Sequence, residues 1–219
     1  MVFPGPFETF KYTLSLLNKS YTYRCVFASL GKMFMGYIIA LILAFIFGVI
    51  AGNNTYLEKV FAPTMTALRS IPTASLVYLF IVLAGFRLAP MYLVLLMSFP
   101  IIYEGVKEGI KNISPDIIGA TKLDGASYLK DNIRVKIPLA KPYFLASMVS
   151  SFSLSFKIQI MAEVITGAST PGIGSAILGA RSSDPTNMIP VFSYSLIAIV
   201  IMLIIDLLSQ VFRKKYLSD

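Results

Sequence analysis

Residues 27–51, FASLGKMFMGYIIALILAFIFGVIA, carry a single charge, Lys32. The stretch exceeds the about 20 residues needed to cross a hydrocarbon core of about 30 Å. Inside lipid a backbone must satisfy every N–H and C=O internally, so an isolated run of this kind is a helix. Lys32 is close enough to one end for its stem to carry the ammonium to the interface. Gly31, Gly36, Ala40, Ala44 and Gly48 recur at helical spacing, and such small residues let a neighbouring helix approach closely. Four further runs follow, at 63–84, 88–103, 143–166 and 188–212. Pro72 predicts a kink in the second. The third is short, contains Pro100 and continues as a charged helix through Glu104, Lys107, Glu108 and Lys111. A polar link, 52–62, joins the first two runs, and a Gly, Ser and Pro-rich segment, 167–187, joins the last two.

With 56% hydrophobic and 14% charged residues and a mean hydropathy of +0.75, the chain reads as one all-α integral membrane domain. The expected organisation is an N-terminal segment 1–26, a membrane domain 27–212 and a basic tail 213–219 containing Arg213, Lys214 and Lys215. Within 1–26, Glu8, Lys11 and Lys19 interrupt the apolar pattern. That predicts a short amphipathic helix on a membrane surface, with Phe7, Phe10, Leu14 and Leu17 on its buried side. The opening residues lack the charged leader and apolar core of a cleavable signal peptide.

The formal charge of +8 does not point to nucleic acid, because the basic residues cluster in loops beside apolar spans. With five spans, the central loop and the tail share one side, which holds 11 basic residues against 6 opposite. Arg69 and Lys157, inside spans, complete the 19. By the positive-inside rule the richer side is cytoplasmic. There is one cysteine and no histidine, so an intrachain disulfide, histidine catalysis and histidine metal sites are all excluded.

Charges inside spans cost about 2.5–3.5 kcal/mol each on insertion scales, so each calls for a partner or a wet cavity. Arg69, Lys157, Glu163 and Asp206 are those charges. Lys157 and Glu163, six residues and roughly 9 Å apart along a helix, point in different directions and do not pair directly. Two readings stand for Lys157. It faces a solute path, where it favours an anion, or it forms an ion pair with Glu163 or Asp206 of a neighbouring helix or subunit. Asp206 reads as an interhelical contact. Pro72, in the run Arg69-Ser70-Ile71-Pro72, shapes either a gate or an ordinary bend.

Between the third and fourth apolar runs lies a polar, basic island, 114–142: SPDIIGATKLDGASYLKDNIRVKIPLAKP. Ser114 caps a helix opening on Pro115 and Asp116, Asp124-Gly125 supplies a stop, and Ser127 caps a second short helix. Pro138 and Pro142 bracket the return to apolar sequence.

The island resembles the cytoplasmic EAA loop of ABC importer permeases: Glu-Ala-Ala, three residues, Gly, about nine residues, then Ile-x-Leu-Pro. Ala120, Asp124, Gly125 and Ala126 fit that pattern, and Val135, Lys136, Ile137 and Pro138 supply its close. Gly119 stands where the family has glutamate, and Thr121 replaces the second alanine. The resemblance runs from about Phe3 to the C-terminus and is nearest to the nitrate, sulfonate, taurine and thiamine-precursor branch. Members of that branch usually carry a spanning helix ahead of the amphipathic segment, which this sequence does not show. The Arg69 to Pro72 run, the pair Ala162-Glu163 and the segment Pro171-Gly172-Ile173-Gly174 also resemble family features, the last an external Gly-Leu-Gly segment.

The resemblance implies a type I importer fold and a coupling segment, Gly119, Ala120, Thr121, Leu123, Asp124, Gly125, Ala126 and Ser127, that docks on a separate ATPase. Arg69, Pro72, Lys157 and Glu163 are the path or gate candidates. No Walker-type stretch occurs in the chain, so ATP and its Mg belong to the partner ATPase. The other implied partners are a second permease copy or close relative, an extracytoplasmic substrate-binding protein and membrane lipid, in a bacterial inner membrane. An ATP-independent secondary transporter predicts internal repeats, and none is evident. A membrane scaffold leaves the Asp124 to Pro138 match unexplained.

Overall fold

The structure, a computed structural model, describes residues 4–123, 131–167 and 170–217. Every regular element among them is helical: α1 Pro6–Leu17, α2 Ser20–Asn53, α3 Thr55–Ser70, α4 Thr73–Lys111, α5 Pro115–Leu123, a π turn Asn132–Lys136 running into α6 Ile137–Thr166, α7 Ile173–Ser183 and α8 Ile189–Leu217. Four helical stretches are long and apolar enough to cross a membrane: Ser20–Asn53, Thr73–Lys111, Asn132–Thr166 and Ile189–Lys215.

About five spans were expected, and the difference lies in the second. The run 63–84 is divided at Ile71-Pro72. Its first part belongs to α3, which begins at Thr55, so the expected link 52–62 shrinks to Asn54. Asn54 accepts the Tyr56 and Leu57 amides on its side-chain oxygen at 2.9 and 3.3 Å, capping α3 directly behind α2. Pro72 disfavours helical backbone at Ile71, and its carbonyl accepts the Ser75 and Leu76 amides at 3.0 and 3.3 Å, restarting the helix as α4. Within α4 the chain breaks again at Gly85 (φ 76, ψ 166), a conformation that excludes other residues. The part 73–84, roughly 18 Å long at about 1.5 Å per residue, is too short to span alone.

The described residues form two compact units, Met1–Ile38 with Ile71–Leu95 and Ser153–Leu208, and Ile39–Ser70 with Leu96–Phe152 and Ser209–Asp219. In the first, Met33, Val77, Leu93, Val94, Phe156 and Ile173 form the core, each at most 1% exposed. Gly36 is pressed so closely on α4 that a Cβ would collide with the Met91 carbonyl oxygen. Gly31, expected on the same seam, is exposed, and a Cβ there would meet nothing within 4 Å. Helix α1 packs through Thr9, Thr13 and Leu16, and Ser193 donates to the Thr9 carbonyl at 3.1 Å. Phe7, Phe10, Leu14 and Leu17 point away from the protein, free to meet lipid.

In the second unit Gly48 and Gly52 continue the α2 seam, against Val106 and Ile110 of α4. An aromatic cluster of Phe47, Phe61, Phe99 and Tyr103 packs in edge-to-face and stacked pairs beside it. Pro138 was expected at the start of a later span, but the helix is already under way. Its missing N–H leaves the Arg134 carbonyl without an i+4 donor, and the π turn just ahead, closed by the Ile137 amide on Asn132, is the local adjustment.

Candidate functional site: a polar segment and a buried carboxylate

The polar island begins as expected. Ser114 accepts the Asp116 amide on its hydroxyl at 3.3 Å and the Ile117 amide on its carbonyl at 3.1 Å, which starts α5. Ile117 is 39% exposed, an apolar side chain presented outward from a short polar helix. Gly119 is exposed, and a Cβ there would meet nothing within 4 Å, so the position has room for the family's glutamate. The Thr121 hydroxyl donates to the Ile118 carbonyl at 3.0 Å, inside its own helix. Asp124, Gly125, Ala126 and Ser127 lie outside the described residues, as does the expected second short helix. Ala120 and Leu123 lie on α5.

The two ends of the island are held by polar contacts the sequence reading missed. At its far end Lys136 pairs with Asp131 at 2.9 Å and donates to the Asn53 side chain at 2.8 Å. Asn53 donates in turn to Asn132 at 2.6 Å and to its own helix at Val49. The last residue of α2 is thereby pinned to the π turn. At the near end, α3 runs alongside α4 with charges in register. Lys111 donates to both Glu58 oxygens, at 2.8 and 3.0 Å, and Lys107 lies 3.7 Å from the same carboxylate. The Lys111 bond holds the Glu58 carboxyl below its ordinary 4.5, against the opposing pull of burial.

Arg69, a gate candidate, is the upper rung of the same ladder. It donates to the Pro100 carbonyl at 2.7 Å, with the Glu104 carboxylate at 3.9 Å. Glu58, Met65 and Arg69 share one face of α3, and Pro100, Glu104, Lys107 and Lys111 share one face of α4. Arg69 therefore fixes α3 immediately before the Ile71-Pro72 break.

In the first unit Glu163 is 1% exposed. Its Oε2 accepts from Ser29 at 2.7 Å and from the Gly174 amide at 3.1 Å. Its Oε1 accepts from Gln159 at 3.0 Å and from Lys32 at 3.3 Å. Ser29 also accepts the Ile173 amide at 2.9 Å, and Lys32 donates to Thr170 and to the Pro171 carbonyl at 3.0 and 2.9 Å. The carboxylate sits at the N-terminus of α7, where the backbone donors and the helix dipole favour a negative charge. Lys32 is thus its charge partner, a role not read from the sequence, where Lys32 was placed only by its closeness to the interface. Gly172 and Gly174 are small by necessity. A Cβ at Gly172 would lie 2.5 Å from the Glu163 carboxylate, and one at Gly174 2.5 Å from the Ile160 carbonyl oxygen.

Glu163 and the Pro171 to Gly174 segment, singled out separately in the sequence, form one structure. Ser29 with Lys32 and Gln159 with Glu163, spaced three and four residues apart in apolar spans, are the sequence signal that was missed. Above it a cleft of about 690 Å³ is lined by Lys32, Arg87, Thr170, Pro171, Met35 and Met91 among others.

Pro72 is exposed at the α3–α4 break, and Lys157 is exposed on α6. Asp206 is half-buried on α8. No group of three or more Cys, His, Asp or Glu side chains among the described residues is arranged to hold a metal.

The family model described as binding-protein-dependent transport system inner membrane component matches residues 36–218. The bicarbonate transport system permease protein of Synechocystis is 28% identical over 72% of this chain and 56% of its own length. A putative aliphatic sulfonates transport permease protein of Bacillus subtilis is 24% identical over 87% of this chain and 68% of its own. Among solved structures, a chain of the crystal structure of an amino acid ABC transporter with histidines superposes with a TM-score of 0.74, covering 98% of this chain and 100% of that one at 16% identity.

Proposed function

Since the chain belongs to the family of binding-protein-dependent transport system inner membrane components, we propose that it forms the solute path of an ATP-driven importer and couples that path to a separate ATPase through α5 and the residues after it. It is an ABC importer permease subunit of the inner membrane and not itself an enzyme. The observation that carries the coupling reading is α5, a capped, largely exposed helix that presents Ile117 outward. It leads into a segment whose far end is pinned to α2 by Asn53, Asn132 and Lys136. A push delivered to α5 meets stiff links on the far side, and a scaffold with no moving partner has no need of them.

In this reading Gly119, Ala120, Thr121, Leu123, Asp124, Gly125, Ala126 and Ser127 contact the ATPase on the cytoplasmic side, where the C-terminus also lies. Two copies, or this chain and a close relative, enclose the path. ATP and Mg bind the ATPase. Its closure drives α5, and the break at Ile71-Pro72, held on one flank by Arg69, is the joint that lets access switch. A substrate-binding protein delivers the solute to the end bearing the Pro171 to Gly174 segment. The relatives named for bicarbonate and aliphatic sulfonates support a small anion or sulfonate, and a thiamine-type pyrimidine precursor belongs to the same branch.

The test is ATP hydrolysis by the chain assembled with its ATPase, comparing the parent with Gly125→Arg. Loss of assembly or of solute-stimulated hydrolysis is expected. An intact complex with full activity would remove the coupling role from this segment.

A further inference from the structure

We propose that Lys157 makes the solute path electropositive and that the path therefore takes a small oxyanion. The inference rests on the importer reading above and selects the anionic class among its candidate solutes.

Lys157 is nine residues ahead of the end of α6 at Thr166, roughly 14 Å at about 1.5 Å per residue, further along the helix than a four-carbon stem can reach. It is exposed, and among the described residues it makes no hydrogen bond or ion pair. The nearest acid on its own helix, Glu163, is buried and already held by Lys32, Ser29, Gln159 and the Gly174 amide. An ammonium in that position needs water or an anion.

The surface around it mixes small and apolar side chains. Leu154, Lys157 and Met161 form one stripe of α6, and the Met161 sulfur takes the Thr73 hydroxyl at 3.8 Å. The stripe is thereby set beside the restart of α4, where Pro72, Ala74 and Ser75 are also exposed. The exposed faces of α2 and α8 are instead aliphatic, as at Ile42, Ile46, Leu203 and Leu207, and suit lipid. An ammonium offers three donors and no acceptor. It therefore favours a negatively charged group rich in oxygen, as in bicarbonate, nitrate or an alkyl sulfonate, and gives nothing to a neutral or cationic pyrimidine.

The experiment places Leu154→Cys in a Cys25→Ala background, with the chain assembled with its ATPase in membrane vesicles. The rates of reaction with an anionic sulfonatoethyl and a cationic trimethylammonioethyl methanethiosulfonate are compared. Lys157 would raise thiolate content equally for both reagents, so the ratio of rates isolates its field on the incoming charge. The anionic-to-cationic ratio should fall about tenfold in Lys157→Gln and be kept in Lys157→Arg. An unchanged ratio in Lys157→Gln, with Leu154→Cys still reacting, overturns the anion inference and leaves the importer reading standing. Failure of both reagents at Leu154→Cys and at Lys157→Cys, with an exposed control cysteine labelled, means this face is not in water and overturns the path reading with it.

Discussion

Replacing Glu163 by glutamine preserves shape and removes the charge, and the geometry sets the cost. Each carboxylate oxygen accepts two donors, Ser29 and the Gly174 amide on one, Gln159 and Lys32 on the other. Ser29 and Gln159 can turn to present an oxygen, but the Gly174 amide and the Lys32 ammonium cannot. Whichever way the new amide is oriented, its NH₂ opposes one fixed donor. An unsatisfied buried donor costs about 1–3 kcal/mol. Breaking a buried ion pair costs about 3–5 kcal/mol, reduced here because Lys32 is 19% exposed and keeps Thr170 and Pro171. A loss of about 3 kcal/mol is expected, which for a chain of this size lowers the melting temperature by roughly 6–12 °C. The assay is thermal unfolding of the detergent-solubilised chain, with Glu163→Gln, Lys32→Met and the double variant compared. The double should lose less than the sum of the singles by about 1–3 kcal/mol, because each single strands the other's partner. A melting temperature for Glu163→Gln within about 2 °C of the parent, or additive singles, would refute the claim that this carboxylate anchors the segment 170–174.

Gly85→Ala should cost about 1–3 kcal/mol although no atom lies within 4 Å of the added Cβ, since the penalty is in the backbone at φ 76. A drop of several degrees in melting temperature checks it. Acid should loosen the α3–α4 ladder. Because the folded-state pKa of Glu58 is depressed, the link contributes fully above about pH 4.5 and is lost as pH falls through the lower folded value. Melting followed between about pH 5 and pH 3 should fall more steeply for the parent than for Glu58→Gln, and parallel curves would assign the acid sensitivity elsewhere.

Much of the helical layout was legible because lipid permits so few alternatives. Apolar length located the four long helices, and Ser114-Pro115-Asp116 located the start of α5. The boundary errors have a common cause. Hydropathy counts apolar residues and is blind to backbone breaks, so 63–84 read as one run although Pro72 divides it. Proline in a membrane helix predicts a kink as readily as a stop, and only the amides satisfied by the Pro72 carbonyl decide between them. The break near residue 85 was visible from its flanks, since Gly85 and Arg87 interrupt the apolar run. The pin at Asn53 was not visible. Asparagine at the end of a span is ordinary there, and its partners, Asn132 and Lys136, lie far along the chain.

Lys157 and Glu163 show where one-dimensional reading stops. Both are charges in the same apolar helix, six residues apart, and by insertion cost they are equivalent. Six residues is 600° of helical rotation, so the two side chains differ in direction by about 120°. One direction leads into the protein, where Ser29 and Lys32 of α2 and the N-terminus of α7 are waiting. The other leads out. A partner was owed to both, but the sequence could not say which would find it, because that depends on which face of α6 is covered by α2. Once Lys32 is seen to satisfy Glu163, one of the two pairings that would have made Lys157 structural is used up, and the other, with Asp206, does not form among the described residues. The remaining charge must then be answered from outside the fold, by water, by a second subunit or by the solute.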